Sequence, residues 1–269
     1  MDINEQHIIV SQLELINDRQ LFDIEVTTRC NKQCYCCPRH NFLRKHRDMS
    51  LETLKKIVEW LPLNCDVFFA GYGEPLLHED LLIFIRKLSE KGVGVSVLTN
   101  GKLLSTQKIK DLFKAGLERI QISILLRDEL AEIKKYADMA AGITGKIRFN
   151  LMYEGATPNP DSLIRKLQEK GFEFYYKKVH NRGNELYQAN YKEPILSCGT
   201  FFINTYIDTN GSLQVCSNDI NGIYNLGNIF ETTFDEYKEK KKQHIGNKQI
   251  IPICQYCTDE YRLNHFKHE

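Results

Sequence analysis

No apolar run in this chain approaches the roughly 18 residues that a membrane-spanning helix needs. The first twenty residues are polar and charged and lack the apolar centre of a secretory signal. Neither sign of charge is in excess, with 36 Lys and Arg against 35 Asp and Glu. Composition therefore gives no electrostatic reason to expect nucleic acid or an anionic membrane as partner. Internal repeats and low-complexity tracts are missing as well. These absences lead us to expect a soluble, cytoplasmic protein. At 269 residues it has room for one large α/β domain, or a domain with an appendage. One basic run, Lys238 to Lys242, reads as a solvated helix face rather than a binding patch.

What the chain does have is cysteine. Nine of them in an intracellular protein point to metal rather than to disulfides. Four fall between Arg29 and Arg39, and Cys30, Cys34 and Cys37 have the spacing C-x3-C-x2-C. Three thiolates on one loop suit a cubane iron–sulfur cluster with one iron left open. An open metal position is where a small molecule can bind and react. Cys36 lies inside the loop, and its sulfur is a further possible ligand through C-x-C. Cys65 stands alone beside a strand and reads as a small buried hydrophobe.

Strands and helices then alternate. Strands are expected at Leu21–Val26, Asp66–Ala70, Val93–Leu98, Arg119–Leu125, Lys146–Tyr153 and Phe172–Val179. A helix capped by Ser50 is expected after the first strand, and others at about Glu79–Lys91, around Ile109 to Phe113, at Asp128–Ala141, and from Asn159-Pro160 to Gly171. Such alternation implies parallel strands with right-handed crossovers. Chemistry is then expected at the C-terminal strand ends. There lie the cysteine loop, Gly71-Tyr72-Gly73-Glu74-Pro75, Thr99-Asn100-Gly101 and, on the fourth strand, Ser123. From Cys198 the pattern breaks into a hairpin, Phe201–Ile207 and Ser212–Cys216, around Asn210-Gly211. A charged helix from about Phe234 to His244 follows, and then Cys254-Gln255-Tyr256-Cys257.

C-x3-C-x2-C after a first strand resembles the radical S-adenosylmethionine (radical SAM) superfamily, and Tyr72-Gly73-Glu74-Pro75 resembles its Gly-Gly-Glu-Pro motif. The resemblance covers roughly residues 21 to 179. It implies a partial (β/α)6 TIM-like barrel with a small C-terminal α+β twitch subdomain. The expected division is a lead at 1–20, a barrel at 21–190 and a subdomain at 191–269. It also implies that Cys30, Cys34 and Cys37 hold a [4Fe–4S] cluster whose open iron chelates S-adenosyl-L-methionine. The implied cofactor contacts are Tyr35, Cys36, Tyr72, Gly73, Glu74, Pro75, Thr99, Asn100 and Ser123. Family members usually carry an aromatic residue just before the third cysteine; here Cys36 stands there and Tyr35 comes one earlier.

Cys198, Cys216, Cys254 and Cys257 form a second set. Taken alone, a hairpin cysteine pair and a distant C-x2-C suit zinc as readily as iron. Behind a radical SAM core they resemble twitch, which implies one fully ligated auxiliary [4Fe–4S] cluster and a role in electron transfer. Asn181-Arg182-Gly183 resembles a motif of twitch-type aminocyclitol dehydrogenases, which implies that Arg182 meets the reacting hydroxyl. The alternative for Arg182 is a carboxylate pair or a turn cap. The leading expectation is oxidation of an alcohol in a small polar molecule such as a sugar or aminocyclitol, with a flavodoxin or ferredoxin-type reductant. A peptide-modifying enzyme is the first alternative; the short lead, too short for a leader-peptide-binding domain, stands against it. A non-catalytic zinc-bound scaffold is the second.

Overall fold

The computed structural model describes residues 20–129, 132–143, 146–156, 158, 162–183, 185–187, 198, 200–201, 204–246 and 251–259. Almost all of the N-terminal lead, the Asn159-Pro160 helix start and the expected boundary at 190/191 lie outside them.

Six parallel strands run in sequence order: β1 (Leu21–Ile24), β2 (Asp66–Phe69), β3 (Gly94–Thr99), β4 (Arg119–Leu125), β5 (Ile147–Tyr153) and β6 (Glu173–Lys178). Between them lie α1 (Leu51–Trp60), α2 (Leu81–Glu90), α3 (Thr106–Lys114), α4 (Leu126–Glu129), α5 (Glu132–Met139) and α6 (Ser162–Glu169). The Ser50 side chain caps α1 by accepting the Thr53 amide at 3.0 Å. The expected helix at Asp128–Ala141 starts two residues early, at Leu126 directly off β4, and is described over Leu126–Glu129 and Glu132–Met139.

Alternation along the strands sorts the side chains onto two faces. Phe22, Ile24, Val67, Phe69, Val95, Val97, Ile120, Ile122, Phe149 and Leu151 are buried in the main core. The opposite face carries Asp23, Glu25, Ser96, Gln121, Ser123, Asn150 and Lys177 together with Phe68, Leu98, Met152 and Tyr175, so it mixes polar and apolar groups. The sheet curls. Asp23 on β1 is pushed up by burial, but hydrogen bonding from Asn204 and the charge of Lys177 on β6 pull it back. Lys177 belongs to a strand five places away in the sheet, so the curl brings the two charges within electrostatic range, as in a partial barrel.

The C-terminal region prolongs this sheet instead of forming a layer of its own. β7 (Asn204–Ile207) pairs parallel to β1 on the side away from β2. β8 (Ser212–Gln214) and β9 (Asn225–Asn228) add antiparallel, giving a nine-stranded order β6-β5-β4-β3-β2-β1-β7-β8-β9. Phe201 sits in a helical turn and β8 stops at Gln214, both shorter than the expected hairpin. Then come α7 (Phe234–Gly246) and α8 (Pro252–Gln255). Lys241 corrects the reading of the basic run: it is fully buried, donating to the Asn204 carbonyl at 3.0 Å over the rings of Phe201 and Tyr237. Its stem fills apolar space that a solvated face would not have. Cys65 is buried, as expected.

Candidate active site

The cysteine loop is pinned at its base. Thr27 and Asp48 form a bridge, and Arg29 Nε donates to Asp48 at 2.9 Å. The Cys37 amide donates to the Cys34 carbonyl at 3.1 Å, which turns the loop back on itself. Burial pushes the Cys34 thiol up to about 11, with repulsion from Cys36, Cys37 and Cys30 adding to it, so the thiols crowd one another. A bound cation of the cluster type would relieve that crowding, as the donor set of three soft thiols fits.

The strand-two loop closes over the cysteine loop. The Glu74 amide donates to the Arg29 carbonyl at 2.7 Å. A Cβ on Gly73 would stand 1.9 Å from the Thr27 carbonyl oxygen, so only glycine fits there. The Glu74 carboxylate is 1 % exposed and accepts from the Leu76 amide, the Thr99 hydroxyl and the Asn100 amide at 2.7–3.1 Å. Glu74 and Thr99 thus spend their side chains on holding three loops together. Asn100 Nδ2 reaches Cys30 Sγ at 3.7 Å and Asn31 Oδ1 at 2.8 Å. Tyr35 is 39 % exposed under the Arg127 guanidinium, whereas Cys36 is buried. Pro75 opens a single 3-10 turn, and Ser123 lies on β4 opposite Asn150.

The second set of cysteines is gathered from three segments. Cys198, Cys216, Cys254 and Cys257 line one cavity walled by Phe201, Val215 and Ile251, with about 440 Å³ of empty space when its open mouth is included. Burial pushes Cys216 well up, and Cys198, Cys254 and Cys257 all repel its thiolate. Four soft donors in one apolar cavity fit a fully ligated cluster.

The motif at the end of β6 joins the two sites. Asn181 is fully buried; its Nδ2 donates to the Tyr256 carbonyl at 2.6 Å and its Oδ1 accepts from the Thr258 amide at 3.0 Å. It clamps the last cysteine segment onto the barrel. Arg182 adopts a left-handed φ of 51°, uncommon for a residue with a side chain. Among the described residues no carboxylate pairs with its guanidinium. Its charge bears on Cys36, Cys37, Tyr72 and His180, groups from both sides of the site. His180 is buried and held down at about 3 by that burial and by Arg182, against the pull of Asp259. Its Nε2 stands 3.1 Å from Asp259 Oδ2.

Four residues were missed at the sequence level. Glu25 is wholly buried in a bidentate pair with Arg44, whose Nε donates to the Ile220 carbonyl at 2.7 Å. Glu25 also accepts the Tyr72 amide at 3.1 Å, so one carboxylate ties together the two cysteine-bearing regions. A charged residue in the apolar run at the end of β1 was a readable signal. Asp259 and Asn218 line the cavity beside the cysteines; Asp259, two residues after Cys257, could also have been flagged.

Residues 24–129 match the model of the Radical SAM superfamily. The chain is 26% identical over 126 residues to a tungsten-containing aldehyde ferredoxin oxidoreductase cofactor-modifying protein of Pyrococcus furiosus, covering 46% of this chain and 35% of that protein. It spans between a third and half of the length of the curated relatives it matches. In fold it resembles BtrN in complex with AdoMet and 2-DOIA, at TM-score 0.65 and 20% identity, covering 90% of this chain and 93% of that one. It also resembles Streptococcus suis SuiB bound to precursor peptide SuiA, at TM-score 0.57 and 15% identity, covering 93% and 73%. No helix among the described residues is long and apolar enough to cross a membrane. The Radical SAM match thus spans the first cysteine loop, the strand-two loop and the strands β2 to β4.

Proposed function

We propose that the protein oxidises an alcohol of a small polar molecule, such as a sugar or aminocyclitol, using two [4Fe–4S] clusters. Cys30, Cys34 and Cys37 would hold the first, and Cys198, Cys216, Cys254 and Cys257 the second. When bound, the first cluster and S-adenosyl-L-methionine supply a 5′-deoxyadenosyl radical, and the second cluster supplies a place for an electron. Oxidation of an alcohol to a ketone removes a hydrogen atom, a proton and an electron, so two such sites match the balance.

The observation that carries this reading is Arg182. It is a cation with no carboxylate partner among the described residues, its charge bears on Cys36 and Cys37, and its backbone is held at φ 51°. A hydroxyl developing negative charge is a suitable guest. Asp23, Gln121, Asn150 and Lys177 on the face opposite the core offer polar contacts that suit a polyhydroxylated substrate. BtrN, of nearly the same length, was solved with AdoMet and 2-DOIA. The four late thiols share one cavity, which suits a single fully ligated cluster.

A second reading, peptide modification, is favoured by the buried Cys36 thiol, which Arg182 faces, and by the likeness to SuiB bound to its peptide. Product analysis separates the two. With reduced enzyme and a panel of sugars and aminocyclitols, a ketone should form with at most one S-adenosyl-L-methionine consumed per turnover. Arg182→Met should lower ketone formation by ~10²-fold, the cost of losing substrate orientation, with iron content unchanged. A product of unchanged oxidation state would sink the dehydrogenase reading.

A further inference from the structure

Asn218 follows Cys216 and Ser217 in the loop after β8. It is 5 % exposed and sits in the wall of the four-cysteine cavity. Its backbone N–H donates to Cys216 Sγ at 3.4 Å, and its side-chain Nδ2 donates to Cys257 Sγ at 3.7 Å. The Asp259 amide adds a third contact, to Cys257 Sγ at 3.5 Å. The Asn218 Oδ1 atom is buried without a hydrogen-bond partner. Burying an amide oxygen unpaired costs stability, so folding does not explain the residue. The Tyr72 hydroxyl donates to the Ser217 carbonyl and so fixes the loop on which Asn218 stands.

We propose that Asn218 is a positioning residue that raises the reduction potential of the cluster held by Cys198, Cys216, Cys254 and Cys257; this rests on the two-cluster reading above. N–H dipoles aimed at cysteine sulfur stabilise the reduced, more negative state of an iron–sulfur cluster. In an apolar cavity the effect is weakly screened. Asn218 thereby makes the second site the better electron acceptor.

The test is an EPR-monitored redox titration of the full chain, reconstituted anaerobically in a C30A/C34A/C37A background so that only the second cluster remains. Asn218→Leu and Asn218→Asp both lose the side-chain donor and keep the backbone one. Each should retain about four irons and titrate at a more negative midpoint than the parent. An unchanged midpoint in an iron-loaded variant overturns the proposal. Should neither variant load, the parent decides by itself, grown with asparagine carrying ¹⁵N in the side-chain amide alone. A ¹⁵N coupling to the reduced cluster supports the assignment, and its absence overturns it. A parent that takes up zinc and no iron is a separate outcome, which sinks the two-cluster reading and this proposal with it.

Discussion

The two cysteine sites are built in opposite ways. The first is local: three thiols within eight positions of one loop, partly open, with its supports drawn from neighbouring strand ends. The second is assembled at long range, from a residue after β6, a loop after β8 and the last described segment, around a cavity with apolar walls. On the proposed function the first loop would hold an open iron, which needs access, and a local loop at a barrel mouth gives it. The second would serve as an electron site, which needs no access but benefits from burial. Holding these four side chains together, where burial opposes ionisation of Cys216 and Cys198, depends on long-range contacts such as the Asn181 clamp and the Glu25–Arg44 pair.

That contrast can be broken at its joints. Arg44→Met should have the largest effect on stability. It leaves Glu25, fully buried, without its cation, and breaking a buried pair in this way costs about 3–5 kcal/mol. Chemical denaturation of the holoprotein checks this, and a loss below 1 kcal/mol would mean that Glu25 finds another partner.

Lys241, beneath the second site, gives a pH signature. Burial pushes it down to about 7 from its usual 10.5. Between those values the unfolded chain binds more protons than the folded one, so stability rises with pH across that window, and below it the penalty is fully present. The slope should reach up to ~1.4 kcal/mol per pH unit. It should vanish in Lys241→Met, as followed by denaturation at several pH values.

Asn181→Ala should have the smallest effect, about 1–3 kcal/mol for two lost hydrogen bonds and the groups they leave unpaired. Its consequence should be selective: iron lost from the second site and kept at the first. Equal loss from both would show that Asn181 supports the barrel as a whole.

The difference between local and long-range construction also explains what could be read from the chain. The six parallel strands follow from period-two burial and glycine stops such as Gly92 and Gly116, and they lie within two residues of their expected bounds. The first cysteine loop is a contiguous motif and needs no tertiary knowledge. The pairing of β7 with β1 was not legible, because nothing in Asn204–Ile207 specifies a partner about 180 residues earlier. Lys241 was misread for a related reason. A run of lysines on a helix looks solvated until the ring of Tyr237 and the carbonyl of Asn204 are brought to it. Asn181 resembled part of a substrate motif, whereas its side chain is occupied with the backbone around Thr258.

Iron quantification with Mössbauer spectroscopy tests the central claim most directly, comparing the parent with C30A/C34A/C37A and with C198A/C216A/C254A/C257A. The account requires about eight irons in the parent and about four in each variant. S-adenosyl-L-methionine cleavage should be lost only when the first set is removed. One cluster in the parent, or cleavage that persists without Cys30, Cys34 and Cys37, would contradict it.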